Sequence, residues 1–180
     1  MKPAAAALAV LLPLLASGCA HPAVTSCSGA RIAAHAGSDA GAFDGMSHSG
    51  TLLTLRNRGA SPCILPGLPR LAFLDAAHRR LPIARRPPFG MHPGPVVLPV
   101  RLAAGVVATT KLRWVDGPVY TRNACMKVAA LRIAWPGGAT TIPLAATICG
   151  PRGAAAGISQ PPLALAGETT ISGSGSPGNR

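Results

Sequence analysis

The placement of four cysteines constrains this chain more than any other feature. Cys125 and Cys149 each lie twelve residues from Gly137, inside a Pro-Gly-Gly turn, and Cys27 and Cys63 each lie eighteen from Gly45. Positions equidistant from the tip of an antiparallel hairpin face each other across the ladder. That relation can bring Cα atoms within the roughly 4.4–6.8 Å that a disulfide accepts. Four cysteines allow three connectivities; the mirror spacing favours Cys27–Cys63 and Cys125–Cys149. On this reading Cys63 leaves the second strand and ties back to the start of the first, and Pro66-Gly67 then redirects the chain through a type II turn. Each bridge closes a loop of a few dozen residues, worth about 3–4 kcal/mol on the chain-entropy account. The C-x₂-C pair that zinc knuckles and redox sites use is absent from the sequence. The four cysteines are therefore read as structural disulfides, with neither metal nor cofactor expected.

Between the cysteines, glycine and proline cut the chain into short runs. No window carries a capped helix with a 3.6-residue apolar stripe, whereas period-2 alternation recurs. In "VVATTKLRWV", Val106, Ala108, Thr110, Leu112 and Trp114 share one face, with Lys111 and Arg113 on the other. Leu53 and Leu55, then Leu71 and Phe73, then Leu131, Ile133 and Trp135, and finally Ile142, Leu144, Ala146 and Ile148 repeat the pattern. Residues 80–84 are expected to pair back on 70–75, Pro99 marks 96–102 as an edge strand, and 158–165 reads as a last edge strand. The glycine-rich stretch 37–50 and the four-proline stretch 85–95 read as loops. This pattern predicts an immunoglobulin-like antiparallel β-sandwich of about seven to nine short strands with two disulfides, over residues 27–166. Residues 167–180, polar and rich in glycine and serine, read as a disordered tail.

The first residues read as an export signal. Lys2 precedes an apolar core from Ala4 to Leu15, interrupted by Pro13 and too short for a membrane span. Ala16-Ser17-Gly18-Cys19 then resembles a bacterial lipobox. Residues 1–18 are thus expected to be a signal peptide, Cys19 the lipid attachment site and 19–26 a lipidated tether. An ordinary signal peptide cut nearby, leaving Cys19 a free thiol, is the alternative. Ala20 is not the aspartate that often retains lipoproteins in the inner membrane, so the expected location is the outer membrane facing the periplasm, or outside the cell if Cys19 is not lipidated. Export also places the other cysteines where disulfides persist.

The formal net charge is +12. Its arginines are dispersed, with short pairs only at Arg79-Arg80 and Arg85-Arg86. Three Phe, two Trp and one Tyr offer little for base stacking. Nucleic acid is therefore not an expected partner. The membrane through the lipid, and an envelope protein or anionic polymer, are.

Cys27, the stretch "LLTLRNRGASPCILPGLPRLAFLD", then "LAAGVVATTKLRW", Cys125 and Cys149 together resemble the domain of unknown function 4232 family. The matching positions are Asn57, Gly59, Cys63, Leu65, Gly67, Pro69, Gly105, Ala108, Trp114, Cys125 and Cys149, spanning roughly residues 27 to 165. The resemblance implies an exported, often lipid-anchored, disulfide-bearing sandwich domain of the bacterial envelope, and supplies no catalytic residue or ligand.

Catalysis finds no constellation in the residues. Asp39, Asp44, Asp75 and Asp116 fall in turns or loops and Glu168 in the tail, a poor start for paired acid–base work. "GMSHSG" lacks the second glycine of a nucleophile elbow. The expected function is a non-enzymatic structural or interaction module of the cell envelope. The alternative is a periplasmic ligand or copper binder using loops 37–50 and 85–95, with Met46, His48, Met91 and His92 as ligands and His35 joining them.

Overall fold

Eleven strands in three sheets build the domain in a computed structural model that describes residues 24–43, 45–86 and 96–167. The largest sheet orders β1 (Ile32–Gly37), β2 (His48–Asn57), β7 (Val107–Val115), β10 (Ala156–Ser159) and β5 (Ile83–Arg85), and β11 (Ala164–Leu165) also pairs with β7. Facing it, β4 (Arg70–Leu74), β8 (Asn123–Trp135) and β9 (Gly138–Pro151) form a three-stranded sheet. β3 (Cys63–Leu65) and β6 (Val100–Leu102) make a two-stranded sheet at one end. The signal segment, Cys19, Asp44, residues 87–95 with Met91 and His92, and residues 168–180 with Glu168 lie outside the described residues. No helix among the described residues is long and apolar enough to cross a membrane.

Alternation fixes which faces meet. Leu53 and Leu55 of β2 and Leu112 and Trp114 of β7 turn inward onto Phe73, Leu131, Ile133, Ile142 and Ile148 of the facing sheet, in one buried cluster. Each such side chain contributes about 1.5–3 kcal/mol by leaving water. Lys111, Arg113 and Arg132, at the intervening positions, stay exposed. The all-β sandwich class expected from the sequence is the one present. Several of its strands are only two to four residues long, which carries the number past the seven to nine that alternation alone reveals.

The disulfides are Cys27–Cys63 and Cys125–Cys149, with Cα separations of 4.9 and 4.0 Å. Cys125 and Cys149 face each other in the β8–β9 ladder, as a hairpin reading requires. Cys63 departs from it. β2 ends at Asn57, and Cys63 opens β3, whose ladder partner is β6. Cys27 precedes β1, in a segment running beside β3 with its N–H donating to Ile64 O at 3.0 Å. Thr25 O, in the stretch expected as tether, accepts from Ile64 N–H at 2.9 Å.

Three further differences have physical causes. Gly67 is not in the left-handed region, so Pro66-Gly67 is no type II turn. A Cβ there would fall 2.6 Å from Val97 Cγ1, so glycine is needed for the close approach of the 97–98 backbone. Leu81 N–H does pair back to Phe73 O at 2.8 Å, but β5 then leaves β4 and joins β10 in parallel. Within the expected loop 37–50, β2 already begins at His48, and Phe43 is only 2% exposed.

Candidate functional site

The two large sheets part where β1 and β9 form their edges. A slot of about 490 Å³ opens there. One wall comprises Ala36, Gly37 and Ser38 at the end of β1, with Ser49 to Thr51 of β2; the other is Pro143 to Thr147 of β9. Trp114 and Asp116, at the end of β7, complete the lining. The slot follows from a bulge. Val128 pairs with Ala146 but Ala130 pairs with Pro143, so β9 carries one residue more than β8 across this step. An extra residue bends a strand away from its ladder. Alanine, glycine and serine dominate the β1–β2 wall, Ala145 and Ala146 face them from β9, and these short side chains leave the gap unfilled.

Trp114 lines the slot from β7, but its indole nitrogen is closed off from it. The residue is 4% exposed and its indole Nε1–H has no hydrogen-bond partner. The other tryptophan behaves oppositely: Trp135 Nε1–H donates to the Cys27 carbonyl. Asp116 sits at the same slot without a cationic partner among the described residues, whereas Asp39 lies 3.7 Å from Lys111 and Asp75 2.8 Å from Arg79. Thr51, also lining the slot, uses its hydroxyl to hold Gly37 O at 2.9 Å.

The 38–47 segment beside the slot is held in an unusual shape. Asp39, Ala40 and Ser47 have φ of 48°, 52° and 56°, conformations that non-glycine residues adopt at a cost. Phe43 fixes the segment by packing on Gly50, where a Cβ would come within 2.8 Å of its ring. Asp116 N–H donates to Ser47 O at 3.0 Å, joining the 116–122 turn to this segment. Arg86, at the stem of the expected 85–95 loop, reaches Tyr120 Oη at 3.3 Å in the same turn. The stems of both long loops thus meet the 116–122 turn.

His48 and Met46 do adjoin each other, with His48 Nδ1 3.0 Å from Met46 O, and Met46 is 96% exposed. His35 is not brought to them: it faces Thr54, six positions along β2 from His48, which at about 3.4 Å per residue is ~20 Å. No group of three His, Cys, Asp or Glu among the described residues is placed to hold a metal ion.

The profile of the domain of unknown function DUF4232 matches residues 27–162, from the first bridged cysteine to the residue before Leu163. The chain belongs to the DUF4232 family. No curated protein matches it, and no solved structure does. Of the residues that carried the DUF4232 resemblance, Asn57 and Gly59 are architectural. Asn57 is fully buried, and its Nδ2 donates to Ser61 O, Leu102 O and Ala103 O at 2.9–3.2 Å while its Oδ1 accepts from Gly59 N–H at 2.9 Å. The Asn-x-Gly of this DUF4232 chain therefore ties β2 to the β6–β7 connection. Ser38 and Ser49 fall within the 37–50 loop of the binding alternative, and Asp116 reads in sequence only as a turn carboxylate; their convergence with Thr51 at one slot escaped sequence reasoning because small polar residues beside turns give no periodic signal. Trp114 was visible only as a core residue.

Proposed function

We propose that this DUF4232 protein is an exported, lipid-anchored, non-enzymatic interaction module of the cell envelope that receives its partner in the slot between β1 and β9. The slot itself carries this reading: about 490 Å³ between the edges of two rigid sheets, lined by short side chains and by Asp116. The Asp116 carboxylate, without a cationic partner among the described residues, and the Ser47 loop stem bonded to its N–H support it, since loops held by rigid sheets are common binding surfaces. Two disulfides suit an oxidising compartment. Cys19, eight residues before Cys27, would attach the anchor near the end that holds Cys27 and Trp135.

Two experiments test the halves of the proposal. With Cys19→Ala, the protein should move from the membrane to the soluble fraction; continued sedimentation with membranes overturns the anchor. Photo-crosslinking in intact envelopes should give a partner band that is lost with Ala145→Trp, which fills the slot from an exposed position. A band unchanged in that variant overturns the slot as the contact.

A further inference from the structure

A second concavity lies across the sandwich from the slot, where β4 and β5 form the opposite edges of the two large sheets. It measures about 250 Å³ and combines half-buried Leu68 and Leu71 and exposed Ala84, over a floor of buried Phe73, Ile83 and Ile158, with Arg70, Arg80 and Arg85. An adjoining hollow of about 360 Å³ shares Arg80, Ile83 and Ala84. The local sequence explains the combination. In Arg-Arg-Leu-Pro-Ile-Ala-Arg-Arg (79–86), Ile83 turns inward to 5% exposure while arginine pairs remain exposed on both sides of it.

Two of the arginines near this edge are engaged elsewhere. Arg79 is bound to Asp75 and Arg86 donates to Tyr120 Oη. Asp75 has no capacity to spare: its Oδ1 accepts from Ala77 and Arg79 N–H, and its Oδ2 from the Arg79 guanidinium. Among the described residues Arg70, Arg80 and Arg85 form no ion pair, and the neighbouring stretch 87–95 contains neither Asp nor Glu. Three like charges around one hollow repel one another unless an anion sits among them. Guanidinium forks match phosphate and carboxylate oxygens bidentately, and the apolar lining favours hydrocarbon over water. The hollow is below the roughly 300–1,000 Å³ of drug-sized pockets, which suits one short aliphatic chain.

From this juxtaposition we infer that the β4–β5 cleft binds an amphiphilic anion, its phosphate or carboxylate held by Arg70, Arg80 and Arg85 and its aliphatic chain lying on Leu68, Leu71 and Ala84. The site is independent of the slot. Isothermal titration of the full chain with octyl phosphate, inorganic phosphate and octyl glucoside tests it. Octyl phosphate should saturate one site and bind at least tenfold tighter than either other probe. The double variant Arg70→Gln/Arg85→Gln should weaken it at least tenfold with an unchanged near-ultraviolet circular dichroism spectrum. Equal binding of inorganic phosphate would identify a free-anion site and overturn the amphiphile. Equal binding of octyl glucoside, or undiminished affinity in the double variant, overturns the role of the arginines.

Discussion

The two disulfides close loops of similar length, yet they sit in contrasting surroundings. Cys27–Cys63 is buried at both residues, 0% and 2% exposed, and joins the stretch before β1 to a three-residue strand, segments otherwise held by two backbone hydrogen bonds at Ile64. Cys125–Cys149 stitches two strands already paired residue by residue, and Cys125 is exposed while Cys149 is buried. With sequence separations of 36 and 24, the chain-entropy account gives nearly equal values, about 3.8 and about 3.4 kcal/mol. Burial and local redundancy must therefore separate them. The first bridge is also a core element, beside the Trp135 indole that donates to the Cys27 carbonyl; the second lies within a ladder that pairs the two strands on both sides of it.

Removing the bridges one at a time tests this contrast most severely. Cys27→Ala/Cys63→Ala should cost about 4–5 kcal/mol, because buried sulfur is lost as well as the crosslink, a large part of a domain's usual margin of 5–15 kcal/mol. Cys125→Ala/Cys149→Ala should cost about 3 kcal/mol. Urea denaturation of the two variants decides, and a reversed order breaks the comparison. Next comes the indole pair. Trp135→Phe should cost about 1–2 kcal/mol by leaving the Cys27 carbonyl unpaired, whereas Trp114→Phe deletes a donor that has no partner and should cost less in the same assay. Accessibility gives a third test without a stability change: under mild reductant, mass spectrometry of alkylated protein should find Cys125 and Cys149 labelled before Cys27 and Cys63.

The smallest effect belongs to an exposed clamp without covalent bonds. The Arg79 backbone N–H, then its guanidinium, and the Ala77 N–H hold the Asp75 carboxyl below the ordinary aspartate value, against a smaller opposing effect of desolvation. A carboxylate whose folded pKa is depressed stabilises the fold above its unfolded pKa and loses that contribution as pH falls through the folded value. Melting temperature should therefore decline slightly less on acidification in Asp75→Asn than in the parent protein.

How much of this was legible depended on the length scale of each signal. β2, β7, β8 and β9 announced themselves because period-2 alternation is local, and Cys125–Cys149 followed because a hairpin is symmetric about its turn. The parallel pairing of β5 with β10 joins residues more than seventy positions apart, and no local pattern encodes it. Phe43 lay among glycines and turn residues, where a lone aromatic has no period to betray its burial. The two clefts were hidden for different reasons. Alanines and serines line the slot because a bulge displaces β9, while Arg70 joins Arg80 and Arg85 only once β4 and β5 become opposing sheet edges. The doubled arginines at 79–80 and 85–86 were visible; their company was not.

The position of the first bridge also sets the path that mechanical tension takes. A pull on the N-terminal segment passes at Cys27 straight through sulfur to Cys63, so residues 28–62, including the whole β1–β2 hairpin, lie in a slack covalent loop. Strand β1 cannot be unzipped from the end, and the sheet wall that it lends to the slot stays in place under a pull on the N-terminal segment.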